Sequence, residues 1–230
     1  MFGQEKRVVL TSPAAAPETA YSPCLEYRDC IASALADRRA ILDAALLQLM
    51  GRVDGLAEAA VRLVETLQTG HKVLIAGNGG SAAEAQHFAA ELVGRFKRER
   101  VPYAVLSLTT DTSILTAVAN DYGYHDVFAR QVSALGQPGD LFIAFSTSGE
   151  SENLVRALAA GRRSLLTTVA ITGDRPNRMA RLADVAVRVP AVASDIVQEL
   201  HLAVLHILCD LVESKLAGCP RLAWEGSEEQ

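Results

Sequence analysis

No stretch of this sequence reaches the roughly 18 to 20 apolar residues that a helix needs to cross a bilayer, so no membrane span is expected. Basic residues are not in excess: 22 Lys and Arg stand against 27 Asp and Glu, a net charge of −5. A nucleic-acid partner, which needs a face of clustered positive charge, is therefore not expected either. The one short basic cluster, "RFKRER" over 95–100, suits the solvated C-terminal end of a helix, where cations are favoured. Four cysteines, Cys24, Cys30, Cys209 and Cys219, have no CxxC spacing, which excludes a zinc knuckle and argues for reduced thiols. The opening "MFGQEKRVVLTSPAAAPETAYSP" carries charge early and has no long apolar stretch, so it does not read as a secretory signal. A soluble, cytoplasmic protein is the expectation. Internal repeats are missing too.

What is present is ordinary globular composition, 50% hydrophobic and 21% charged over 230 residues, enough for one large α/β domain with an appended helical piece. Residues 1–25 are rich in Ala, Pro, Ser and Thr and read as a flexible extension. A single domain is expected over 26–217, with a tail over 218–230. From Leu25 to Thr69 the apolar spacing is helical, with a break between two helices near Gly51 and Gly55. "LDAALLQLM" is apolar around much of its circumference and needs cover on more than one side, which a partner subunit would supply.

The rhythm then changes. "KVLIAG" (72–77), "YAVLSL" (103–108), "LFIAFS" (141–146), "TTVAIT" (167–172) and "VAVRVP" (185–190) each resemble a strand buried on both faces. Helical patterns lie between them at 82–97, 112–119, 125–135, 151–163 and 176–182, and a last helix runs over 194–216. This alternation predicts an α/β fold: a three-layer, doubly wound, five-stranded parallel sheet with N-terminal helices. In such sheets ligands bind beyond the carboxyl ends of the strands. There stand "GNGGS" (77–81), "TTDTS" (109–113) and "STSGES" (146–151).

"GNGGS" fits neither a dinucleotide fingerprint nor a Walker A loop. Its glycines would let backbone N–H groups approach an anion at a helix start, and a plain turn accounts for them equally well. "STSGES" gathers the hydroxyls of Ser146, Thr147, Ser148 and Ser151 at a strand-to-helix junction. An N-cap needs one hydroxyl; four make a cradle for a phosphate monoester. His87 and Glu91, at i and i+4, share a helix face. Gln198 and His206 on the last helix fall about 80° apart, near enough to line one pocket. Two such helices could hold a zinc-type ion, although a single His in an apolar helix is more often a satisfied core residue. His71 and His125 read as structural or surface residues.

Taken in order, "AGNGGSAAEAQHFAAEL", "AVANDYGYHDVFARQV", "STSGESENLVRA" and "DIVQELHLAVLHIL" resemble the sugar isomerase (SIS) domain, and most closely its phosphoheptose isomerase branch. The resemblance covers about Tyr27 to Leu216 and implies a flavodoxin-like sheet. It implies aldose–ketose isomerisation of sedoheptulose 7-phosphate, the first step of nucleotide-activated heptose biosynthesis, in a cytoplasmic homotetramer. Lipopolysaccharide is one destination of such heptoses. It assigns substrate contact to Asn78, Gly79, Gly80, Ser81, Glu91, Asn120, Asp121, Ser146, Thr147, Ser148, Ser151 and Gln198. It assigns one zinc ion to His87, Glu91, Gln198 and His206, and the catalytic pair to Glu91 and His206. Arg95 and Asp195 would stand behind the pocket. Some SIS proteins instead bind a replication initiator without catalysis, and others isomerise other phosphosugars. Glu91 in "HFAAEL" and His206 in "LAVLHIL" mark the enzyme type against the replication-binding type.

Overall fold

The computed structural model describes residues 23–217. The expected extension and tail lie outside these residues, apart from 23–25, which open the first helix. By internal packing the chain divides into two units, 1–41 and 42–230. Within the described residues the first is the start of helix α1 (Pro23–Met50), which crosses the boundary. Leu25, Tyr27, Ile31 and Leu35 on that arm are exposed.

The second unit continues through α2 (Asp54–Gln68), β1 (Val73–Gly77), α3 (Gly80–Val93), β2 (Val105–Ser107), α4 (Thr112–Tyr122) and α5 (Val127–Leu135). It closes with β3 (Leu141–Ser146), α6 (Glu152–Arg163), β4 (Thr167–Thr172), α7 (Arg178–Leu182), β5 (Val185–Arg188) and α8 (Ser194–Leu216). The five strands pair in parallel in the order β2-β1-β3-β4-β5. This is the doubly wound, flavodoxin-like arrangement. Chain direction across the sheet reverses between β1 and β3, so a crevice opens beyond their carboxyl ends. The register sets Gly77 beside Phe145 there, which brings the "GNGGS" and "STSGES" loops together.

Alternation along the strands sends side chains to two cores. Val73, Ile75, Ile143 and Phe145 join residues of α2, α3 and α8 on one face. Leu74, Ala76, Phe142 and Ala144 join α5 and α6 on the other. Each such Leu, Ile or Phe removed from water contributes about 1.5–3 kcal/mol before the entropy of ordering is charged against it. The expectation of burial on both faces holds for β1 and β3 and nearly so for β4. It fails for β2, where Leu106 is exposed, and for β5, which alternates. Both are edge strands.

Several helix boundaries also differ, with α4 running on to Tyr122 and α7 starting only at Arg178. α3 starts at Gly80 and stops at Val93, so "RFKRER" is no helix end. Its backbone N–H groups are instead accepted by one carboxylate of α8, Glu213, described below. His125 lies in a short 3₁₀ turn, Tyr124–Asp126, ahead of α5.

Candidate active site

The hydroxyl loop leaves β3 at Ser146, which is buried. The Ser146 hydroxyl accepts the N–H of Gly149 at 3.1 Å, and that of Ser148 accepts the N–H of Glu150 at 3.2 Å. Gly149 has φ +68°, and a Cβ there would stand 2.2 Å from the Asn177 side chain, so the loop can turn this way only with glycine. Ser151 sits at the N-cap of α6 with extended backbone, yet its side chain makes no cap bond. Capping thus does not use its hydroxyl, which lies 3.4 Å from that of Ser146. Asn78, Ser81, Ser146, Thr147, Ser148, Ser151 and Gln198 line one cavity of about 110 Å³. It has the α6 N-terminus at one wall, a setting that favours an anion.

Asn78 is fixed from two sides. Its amide exchanges reciprocal hydrogen bonds with Asn153, at 2.9 and 3.0 Å, and its Oδ1 accepts the Tyr124 hydroxyl at 2.9 Å. Gly80 packs against Gln198 so closely that a Cβ would lie 2.1 Å from Nε2. The glycine turn is therefore more than punctuation: it makes room for the α8 amide at the cavity wall.

About 12 Å along α8 from Gln198 stands His206. Its Nε2 lies 2.9 Å from His87 Nε2, so one ring nitrogen donates and the other accepts. His87 Nε2 is 3.5 Å from Glu91 Oε1. Ligand atoms of His87, Glu91 and His206 all lie within 4.8 Å of one another. Two imidazoles and a carboxylate so convergent fit a zinc-type ion by donor chemistry. Phe96 stacks on His206 with ring centroids 5.4 Å apart and planes 15° apart. Burial and the neighbouring His87 push the His206 imidazole below its usual value, with Glu91 opposing them, so the ring favours the neutral form at pH 7.

Other expected residues stand apart. Asn120 and Asp121 bond to each other at 2.8 Å on the exposed side of α4 and are not among the residues lining the cavity. Arg95 is exposed, 3.7 Å from Glu99. His201 turns into the core, 3.3 Å from the buried Glu84 and edge-on to Phe145. Asn153, Tyr124, Phe96 and Arg100 were not singled out by sequence reasoning. Tyr124 and Asn153 do lie inside the quoted "AVANDYGYHDVFARQV" and "STSGESENLVRA".

Fold and site together define a class: a doubly wound α/β protein with a serine- and threonine-lined cavity at the carboxyl ends of its strands and a His–Glu–His cluster farther along α8. The family model of the SIS domain matches residues 36–173. A phosphoheptose isomerase of Rhodospirillum rubrum is 49% identical over 161 residues, 70% of this chain and 86% of that protein. One of Akkermansia muciniphila is 47% identical over 174 residues, 76% of this chain and 90% of its own. The solved phosphoheptose isomerase of Neisseria gonorrhoeae superposes with TM-score 0.75 at 37% identity, covering 80% of this chain and 99% of that one. The chain belongs to the SIS-domain family and, within it, to the phosphoheptose isomerases. That sets aside the reading as a replication-initiator-binding protein.

Proposed function

We propose that the chain interconverts D-sedoheptulose 7-phosphate and D-glycero-D-manno-heptose 7-phosphate, with Glu91 as base and His206 as acid. The observation that carries this is the His87–Glu91–His206 cluster at the middle of α8, about two turns on from Gln198, which lines the hydroxyl cavity near the start of that helix. A phosphate seated among Ser146, Thr147, Ser148 and Ser151 orients the sugar without taking part in the chemistry. Asn78, Gly79, Gly80, Ser81 and Gln198 line its path.

Glu91 takes the C1 proton of the open-chain ketose, and the electron pair becomes the C1–C2 double bond. The C2 oxygen receives a proton from His206, giving an enediol. The O1 proton then passes to His206 and Glu91 returns its proton to C2, leaving an aldehyde at C1 and a hydroxyl at C2. No proton is gained or lost overall. A zinc ion held by His87, Glu91, Gln198 and His206 would supply Lewis-acid polarisation of the sugar oxygens.

We read 26–217 as one SIS domain working as a cytoplasmic homotetramer in heptose biosynthesis, with lipopolysaccharide as one destination of the product. Exposed Leu46, Leu47 and Met50 on α1 support the assembly. In such an assembly a neighbour's residue can complete the pocket. The test is incubation with sedoheptulose 7-phosphate and identification of the product, with and without a chelator, alongside the mass in solution. Absence of heptose 7-phosphate at every zinc concentration would sink the assignment.

A further inference from the structure

Residues 94–100 leave α3 and lie along α8, and a single carboxylate holds them there. Glu213 has a side chain with no exposed surface. Its Oε1 accepts the N–H of Phe96 at 2.7 Å, and its Oε2 accepts those of Lys97 at 2.8 Å and Arg98 at 3.0 Å. Arg100 Nε lies 3.2 Å from Oε1. Burial works against the charge of this carboxyl, but the three N–H donors and Arg100 outweigh it and hold the group below its usual range. An amide in its place would turn an NH2 group onto at least one backbone N–H and leave the Arg100 charge uncompensated.

The loop held in this way touches both ends of the proposed acid–base pair. Phe96, whose own N–H Glu213 accepts, is the ring stacked on His206. Arg100, the ion-pair partner of Glu213, donates from Nη2 to the carbonyl of Glu91 at 2.8 Å. Its Nη1 donates to the carbonyls of Gly94 and Val101, each at 2.9 Å. The bonds to Glu91 and Gly94 satisfy carbonyls at the C-terminal end of α3, where Glu91 sits. His206 and Glu213 are seven residues apart on α8, about two turns, and so share a face. The more exposed pairs of Lys97 and Arg98 with Asp210 add little by comparison.

We propose that Glu213 is a positioning residue for the isomerase reaction: through Phe96 it sets the plane of the His206 ring, and through Arg100 it fixes the last turn of α3 beneath Glu91. The proposal rests on the reading of Glu91 and His206 as the acid–base pair. A carboxylate that only stabilised the fold would lower the melting temperature and leave kcat of the folded enzyme intact. A positioning carboxylate lowers kcat while the cradle keeps KM.

The full chain, Phe96→Leu, Glu213→Gln and Glu213→Asp are compared for kcat and KM on sedoheptulose 7-phosphate. Thermal unfolding and NMR of the His206 ring protons, which the Phe96 ring current shifts upfield, are measured beside them. Phe96→Leu leaves every bond of the carboxylate in place. It is expected to lower kcat by about tenfold or more, hold KM within about twofold, and abolish the upfield shift. Glu213→Gln should do the same, and Glu213→Asp, which keeps the charge, should recover part of kcat. Wild-type kcat in Phe96→Leu, or a folded Glu213→Gln with unchanged kcat and an unchanged His206 shift, overturns the proposal. Should Glu213→Gln not fold, Phe96→Leu decides alone. A wild-type chain that forms no heptose 7-phosphate removes the functional assignment itself, an outcome separate from an active wild type with active variants.

Discussion

Ser151→Ala separates the two roles that a serine at this position can have. As the N-cap of α6 it would be worth roughly 1 kcal/mol of stability if its hydroxyl capped the helix. The hydroxyl makes no cap bond, however, so its removal should change folding stability by less than about 0.5 kcal/mol. In the cradle it would give one hydrogen bond to a charged phosphate, worth about 1.5–3 kcal/mol. At 1.4 kcal/mol per tenfold, the variant should bind sugar phosphate about ten- to hundredfold more weakly. The phosphate is remote from the reacting carbons, so the loss should fall mainly on KM and much less on kcat. Steady-state kinetics and urea unfolding on the same preparation measure both. A loss of about 1 kcal/mol in stability with an unchanged KM would make Ser151 a cap and refute the cradle.

Gly80→Ala should show activity loss without destabilisation. The new Cβ meets the movable end of Gln198 at 2.1 Å and pushes it from the cavity wall, while alanine suits a helix start. A fall in kcat/KM of about tenfold or more is expected, with stability within about 1 kcal/mol of wild type. Asp140→Asn should do the reverse. Asp140 is buried at the amino end of the central strand β3, away from the cavity, accepting the N–H groups of Lys72 and Gln137 at 3.0 and 2.8 Å and pairing with the Lys72 ammonium. A cost of roughly 2–4 kcal/mol is expected in urea unfolding, discounted because Lys72 is partly solvated, with kcat unchanged. Acid should act through the same group and through Glu213. Burial opposes the charge of each, yet hydrogen bonds and the paired cation leave both carboxyls below the ordinary 3.8 of Asp and 4.5 of Glu. Their stabilisation is complete above those values and lost as pH falls through the lower folded ones. Unfolding free energy should therefore drop with pH below about 4.5 in the wild type and less steeply in Asp140→Asn.

The parts legible in the sequence were those with local patterns. The α8 boundaries follow an unbroken apolar stripe, and the β1 and β3 runs carry their own burial. The switch point between those strands then placed the serine loop beside the glycine turn. His87 and Glu91 needed only helix spacing to be paired. The "RFKRER" segment was misread because its fate depends on Glu213 and Asp210, more than a hundred residues later. A carboxylate accepting backbone N–H groups leaves no periodicity to detect. Edge strands were overestimated for a similar reason, since "YAVLSL" and "VAVRVP" look like central strands until the sheet order is known. Asn120 and Asp121 came from resemblance alone, and within one chain they bond to each other and are not among the residues lining the cavity.

The most direct measurement is the turnover of Glu91→Gln, with substrate affinity and bound zinc quantified in the same protein. The account predicts that kcat falls by roughly 10²–10⁴-fold while sedoheptulose 7-phosphate still binds within a few-fold of wild type, because the cradle is untouched. A metal-matched variant that forms heptose 7-phosphate at close to the wild-type rate would contradict Glu91 as the base.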